Sequence, residues 1–289
     1  MLDIEKDIIK AIHDFEGDVS LYAIDEYNNE VKINENKIVE TASCIKLFIL
    51  IEYYNQILKK EKSREDIIVY NAKKDYVENG SGIIQYLDGE VNFTSKNMAT
   101  LMIIVSDNIA TNKIIEYLGF EKINQTIKEL GFNNTRLIAK KLDFNQYQQV
   151  GETTALEYAN AYKLLLSKKI LTTDLCEEII EILSKQNYNE MITGAISPKY
   201  IEEKGTENGF IKYIASKSGA LGDEGRTDII ICRNDGGIIS TKIGSYIVSV
   251  FIQNFSDHYF YKNNPATLLG VEINKLLFET FEKNNGSFK

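Results

Sequence analysis

The sequence predicts a mixed α/β (α+β) fold: a five-stranded antiparallel sheet flanked by the terminal helices, with an all-α lobe inserted between the strand groups. Three observations predict it. Apolar residues recur at helical spacing at both ends of the chain. Two β-patterned segments follow the first helix and three more precede the last. Between Ser43 and about Tyr200 the periodicity is mainly helical. Two strand groups so far apart most economically pair in one sheet. That sets an α/β lobe at 1–42 and 205–289 and an all-α lobe at 43–204, within a single domain at 1–289.

The elements follow in order. "MLDIEKDIIKAIHDF" sets Leu2, Ile4, Ile8, Ile9, Ile12 and Phe15 on a helical stripe, and Gly17 ends that helix. "DVSLYAID" and "EVKINE" read as two strands joined by the turn "EYNN". Helices are predicted at "IKLFILIEYYNQILKK" and at "TSKNMATLMIIVSDN", the latter with Thr94 as N-cap. Four more follow at "NIATNKIIEYLG", "FEKINQTIKELG", "TALEYANAYKLLLSKK" and "TTDLCEEIIEILSKQ". Gly119 and Gly131 stand where C-caps belong, because glycine takes a left-handed conformation without a steric penalty. "GFIKYIASKSG", "RTDIIICRNDGG" and "SYIVSVFIQN" are β-rich and separated by turn residues. "PATLLGVEINKLLFETFEK" closes the chain as a helix with Pro265 in its first turn.

The chain has 289 residues, 44% hydrophobic and 26% charged, as a globular protein does. Its net charge of -9 argues against nucleic acid as a partner, since phosphate binding needs a basic surface. No run is long and apolar enough to span a membrane. Cys44, Cys176 and Cys232 match no metal spacing and read as packing thiols. The only histidines, His13 and His258, lie near opposite ends, so no His/Cys cluster suggests a metal; no metal and no cofactor are expected. The N-terminus has early acids and no basic region, unlike a signal peptide. Either the protein acts in the cytoplasm or an export signal has been trimmed from this chain. Nothing argues for an interface, so a monomer is expected.

Lys46 asks for an explanation, because it lies in the apolar stretch "TASCIKLFIL". Burying a charged amine without partners costs several kcal/mol. Ser43 lies three residues earlier, on the same helical face if Ser43 starts the helix. Burial and a helix N-terminus both lower an amine pKa, so Lys46 can be neutral and take the serine proton. The Ser43 backbone N–H would be free to face an oxyanion. Alone, Ser-x-x-Lys is common by chance. Two further motifs are equally bland alone. "SDN" (Ser106, Asp107, Asn108) reads as a loop with an N-cap, and "SKSG" as a strand end carrying Lys217, Ser218 and Gly219.

Together, and in this order, the three motifs resemble the signature of class A β-lactamases and penicillin-binding proteins. The resemblance covers nearly the whole chain and is nearest to class A. It implies the β-lactamase/transpeptidase-like fold and a site between its lobes. Ser43 would attack the lactam carbonyl and form an acyl-enzyme. Lys46 would be its base or part of the proton path, and Ser106 would pass a proton to the leaving nitrogen. Lys217 would supply positive potential. Asn108 would hold the substrate's side-chain amide, Ser218 its carboxylate, and Asp107 the loop. The backbone N–H groups of Ser43 and Ala220, beside Gly219, would form the oxyanion hole. Arg226, nine residues past Lys217, matches an arginine that reaches the substrate carboxylate; a surface arginine is the alternative.

The pattern breaks in one place. Class A enzymes carry a Glu, and an Asn four residues later, on a loop between the second and third motifs. The Glu activates the water that frees the acyl-enzyme. Aligned from "TRL" (135–137) toward "ETTALEYA" (152–159), Lys141 falls at the Glu position and Asn145 at the Asn position. Asp143 is the nearest carboxylate, with Glu152 less well placed; Asp143 is a deacylation base or, the better reading, a loop stabiliser. Without a base, acylation should proceed while hydrolysis slows. The expected substrate is a small-molecule β-lactam or a peptidoglycan-like peptide. The competing functions are a D,D-peptidase or esterase and a sensor that stays acylated. "NGSGIIQYL" (79–87) lies where the family it resembles has a loop at the cleft rim, and its glycines suggest a tight turn; Tyr86 in it and Tyr76 just before it would touch ligand or, more often for tyrosine, pack.

Overall fold

A computed structural model of the chain describes residues 2–78, 80–144, 149–222, 230–261 and 263–289. The chain starts with α1 (Asp3–Ile12), β1 (Asp18–Asp25), β2 (Glu30–Ile33) and the short β3 (Val39–Glu40). A 3-10 turn at Ala42–Ile45 leads into α2 (Lys46–Leu58). β4 (Ile67–Asn71) and β5 (Glu90–Thr94) form a hairpin, followed by α3 (Ser95–Ile104), α4 (Asn108–Leu118) and α5 (Phe120–Glu129). β6 (Arg136–Leu137) and β7 (Gly151–Thr153) frame a loop, and α6 (Ala155–Leu166), α7 (Thr173–Leu183), α8 (Glu190–Thr193) and α9 (Pro198–Glu202) follow. β8 (Ile211–Ser216), β9 (Gly219–Leu221), β10 (Cys232–Thr241), β11 (Gly244–Gln253) and α10 (Pro265–Lys283) close the chain.

The main sheet is antiparallel and runs β2–β1–β11–β10–β8, with β9 continuing along β10. The five predicted strands are therefore present, with the edge strand broken at Lys217 and Ser218 into β8 and β9. Side chains alternate across the sheet. Leu21, Val248, Val250 and Ile252 face one core with Ile8 of α1 and Leu277 of α10. Tyr22, Ile24, Ile247 and Phe251 face the other, with α2 and the helices around it. Helix α2 is buried almost all round, Leu47 through Ile51 each being at most 1% exposed, which explains why that stretch is apolar on every face.

Several elements differ from expectation. "NDGG" is not a turn: β10 runs through it and turns at Lys242 and Ile243. A Cβ on Gly237 would lie 2.4 Å from the Ala215 carbonyl, and one on Gly236 2.8 Å from the Tyr158 ring. These glycines serve close packing inside the sheet rather than reversal. Strands β3 to β7 lie in or beside the stretch that reads as helical, and they are too short to impose a period on the sequence. Met191, Ile192 and Ile196 pack with the terminal helices in the second core. No described helix is long and apolar enough to cross a membrane.

Candidate active site

The three motifs meet at one cleft of about 2090 Å³, lined by Ser43, Ser106, Asn108, Ser218, Gly219 and Ala220. Lys46 and Lys217 lie beneath it, both fully buried. Ser43 is carried by the 3-10 turn, not by the α-helix, which starts only at Lys46. Ala42 just before it is left-handed (φ 45), a conformation that a residue with a Cβ rarely adopts. Gly219 is what lets β9 lie against this turn. A Cβ there would come within 2.6 Å of the Thr41 carbonyl oxygen and 2.8 Å of the Ser43 and Cys44 amide nitrogens. Gly151 packs on its other side, where a Cβ would meet Thr41 Oγ1 at 2.8 Å.

The Lys46 amine is held by the second motif rather than by Ser43. Its Nζ lies 2.7 Å from Ser106 O, 2.8 Å from Asn108 Oδ1 and 3.1 Å from Ser106 Oγ; it donates to the first two, and to Ser106 Oγ as an ammonium, while as a neutral amine it can accept from that hydroxyl. Burial, and then the charge of Lys217, holds its pKa well below the ordinary lysine value. An amine so biased toward its neutral form can accept a proton from a neighbouring hydroxyl. Lys217 donates to Ser106 Oγ at 3.1 Å and to Ser218 O at 2.7 Å, and burial lowers its pKa to about 8. Tyr158, which donates to the Lys217 carbonyl at 2.6 Å, braces the break between β8 and β9 from α6.

Ser106 is left-handed as well (φ 53), and Asp107 holds it there. Asp107 caps α4 by accepting from Ala110 N at 2.9 Å. Its second oxygen accepts from Ile83 N (2.7 Å) and Ile84 N (2.9 Å), so it ties the rim loop to the motif. Gly82 (φ 108) permits this, since a Cβ there would sit 2.2 Å from the Asp107 carboxylate. Ser81 adds a second tie: its hydroxyl donates to Ser106 O (2.7 Å) and its carbonyl accepts from Asn108 N (3.0 Å).

The other predicted residues are placed as follows. The Ser218 hydroxyl donates to the Tyr188 carbonyl. Arg226 and Asn145 lie outside the described residues. Lys141 and Asp143 are exposed, and it is Leu142 and Phe144 that line the cleft. Tyr76 and Tyr86 are exposed (54% and 79%) and line neither the cleft nor a core. Among the described residues no group of three or more His, Cys, Asp or Glu could hold a metal ion. The three cysteines are buried and unpaired.

Sequence reasoning missed the support of the nucleophile turn. Asn234 Nδ2 donates to the Glu40 carbonyl (2.9 Å) and Gln253 Nε2 to the same oxygen (2.6 Å). Glu40 Oε1 accepts from Ala42 N at 3.0 Å. The available signal was an acid and two amides on predicted strands or beside them. Arg233 was also missed. It lines the far end of the cleft, where its guanidinium donates to the carbonyls of Leu221, His258 and Tyr259 and lies 4.1 Å from the Phe260 ring centroid.

A sequence model of the beta-lactamase enzyme family matches residues 3–281. The chain belongs to that family. Solved structures agree on the fold. A beta-lactamase from Sphaerobacter thermophilus superposes with a TM-score of 0.81 at 24% identity, covering 98% of both chains. The TLA-3 extended-spectrum beta-lactamase gives 0.82 at 18% identity over 96% of this chain and 98% of its own. A mutant of PBP-A, captured as an acyl-enzyme complex with penicillin G, gives 0.79 at 20% identity over 97% of both chains. A comparison with curated proteins by sequence finds no match.

Proposed function

We propose that the protein is a class A-like serine β-lactamase that opens β-lactam amides through an acyl-serine at Ser43 and releases the product slowly. The observation that carries this reading is the convergence of two buried lysines on the Ser106 hydroxyl, in a cleft lined by Ser43. In the proposed sequence Ser43 Oγ attacks the lactam carbonyl while its proton passes to neutral Lys46. The oxyanion is held by the N–H groups of Ser43 and Ala220. The C–N bond then breaks as the proton moves through Ser106 to the leaving nitrogen, with the Lys217 charge steadying the developing anion. Asn108 and Ser218 orient the substrate amide and carboxylate.

Slow release is supported by the described part of the loop between β6 and β7, whose cleft-lining residues Leu142 and Phe144 are apolar. Neither can activate a water. The same observation favours a second reading, a penicillin-binding D,D-peptidase or sensor that stays acylated. The penicillin G complex of the PBP-A mutant accords with acylation in this fold. Intact mass followed over time with a penicillin decides between them, with Ser43→Ala as control. An adduct that appears and decays as penicilloate accumulates supports the lactamase. An adduct that persists supports the penicillin-binding reading, and no adduct at all overturns both.

A further inference from the structure

Glu40 ends β3, three residues before Ser43, and is 1% exposed. One of its oxygens gathers three backbone amides from two separate segments. Oε1 accepts from Ala42 N at 3.0 Å, Val150 N at 3.2 Å and Gly151 N at 3.2 Å. Ala42 is the left-handed residue that aims Ser43, and Val150 and Gly151 close the loop that carries Leu142 and Phe144. The other oxygen, Oε2, is buried without a hydrogen-bond partner. Glu152 faces it in the β3–β7 register, itself paired with Arg136 at 2.7 Å. Among the described residues, the Cys44 thiol on the 3-10 turn and the Cys232 thiol on β10 are further titratable neighbours, and the Gln253 amide of β11 bonds to the Glu40 backbone.

We propose that Glu40 is a positioning residue for Ser43: its carboxylate locks the strained turn at Ala42 to Val150 and Gly151. The proposal rests on the acyl-serine reading above. A neutral amide oxygen has two lone pairs and serves two donors well, whereas an anionic oxygen holds three. The lock is therefore tight when Glu40 is ionised and slack when it is protonated. Burial lifts its pKa to about 7, against the three amides that lower it, so the change falls in the working range.

The test compares wild type, Glu40→Gln and Glu40→Ala for the rate at which Ser43 is acylated by benzylpenicillin, from pH 5.5 to 8.5. The expected result is a loss of about tenfold for Glu40→Gln at pH 8 that shrinks toward pH 6, with binding before acylation unchanged. Glu40→Ala loses about 100-fold throughout. Equal rates for wild type and Glu40→Gln overturn the proposal. So does a loss that is the same at every pH, which a merely structural role would give. A fluorophosphonate probe run in parallel separates the two ideas. Wild type that reacts with this probe but not with penicillin sinks the lactam reading and leaves the Glu40 comparison standing; reaction with neither overturns both.

Discussion

Lys46 and Lys217 meet at one oxygen: each amine stands 3.1 Å from Ser106 Oγ. Two ammonium groups this close repel by about 3 kcal/mol at an effective dielectric near 20. No carboxylate of the described residues forms an ion pair with either amine. The pair therefore disfavours holding two protons at once, and burial biases Lys46 toward its neutral form. The pH profile of acylation should be a bell. Its acid limb reports Lys46 losing its proton. Its alkaline limb, at about 8, reports Lys217 losing the charge that steadies the leaving group. Lys217→Ala removes the like charge, so the Lys46 pKa should rise and the acid limb should move to higher pH, with a rate loss of about 100-fold or more. Stopped-flow acylation across pH 5 to 10 checks both limbs; an unmoved acid limb in the variant would refute the coupling.

Asp107 holds three amides on two segments, and these bonds are charge-assisted. Asp107→Ala should cost about 3 kcal/mol of folding stability, since it orphans buried donors and removes the α4 cap. Asp107→Asn keeps one acceptor oxygen and should cost about half as much. Urea unfolding gives the ordering. Acylation should fall in the same order, because the left-handed Ser106 loses its anchor.

The large elements were legible because each carries its own period. β1 and α10 have the predicted bounds, Thr94 caps α3 by accepting from Asn97 N, and Gly119 and Gly131 take positive φ at the helix ends. The three motifs were legible because they are local strings. What was hidden depends on contacts between distant segments. The sequence places Ser43 beside Lys46, but the fold turns the Lys46 amine to Ser106 and Asn108, some 60 residues on. Gly236 and Gly237 look like a turn until Tyr158 and Ala215 are seen against them. Glu40 is an unremarked acid until Val150 and Gly151 arrive from another loop.

Gly219 admits β9 to the nucleophile turn, so Gly219→Ala should damage the site more than the fold. The added methyl would clash with the Thr41 carbonyl and the Ser43 amide, and relief requires the turn to retreat. Acylation should drop about 100-fold while the far-UV spectrum is kept and stability falls by about 2 kcal/mol. A variant that acylates at the wild-type rate would show that the turn has room to spare.

Asp143 is exposed, and its neighbours Leu142 and Phe144 line the cleft in its place. Asp143→Asn should leave the lifetime of the penicillin adduct within about twofold of wild type. Intact mass after removal of free penicillin measures this directly. A lifetime extended tenfold or more would make Asp143 the deacylation base.

Glu40 ties stability to pH with a definite sign. Its folded pKa of about 7 lies above the reference value of 4.5, so the folded state binds the proton more tightly than the unfolded chain. The resulting stability is fully present below about 4.5 and is lost as pH rises through 7. The span corresponds to about 3 kcal/mol as an upper bound. Glutamine does not titrate, so the stability of Glu40→Gln relative to wild type should rise between pH 5 and pH 8 by about that amount. Every other titrating group is common to both proteins and cancels in the difference. Urea unfolding of both at the two pH values checks it; a difference that stays constant would mean that Glu40 keeps an ordinary carboxylate pKa and does not switch. A rise would show that wild type carries at pH 8 an ionised, partly unpartnered carboxylate that weakens the fold, at the one position where three amides and the strained Ala42 turn meet.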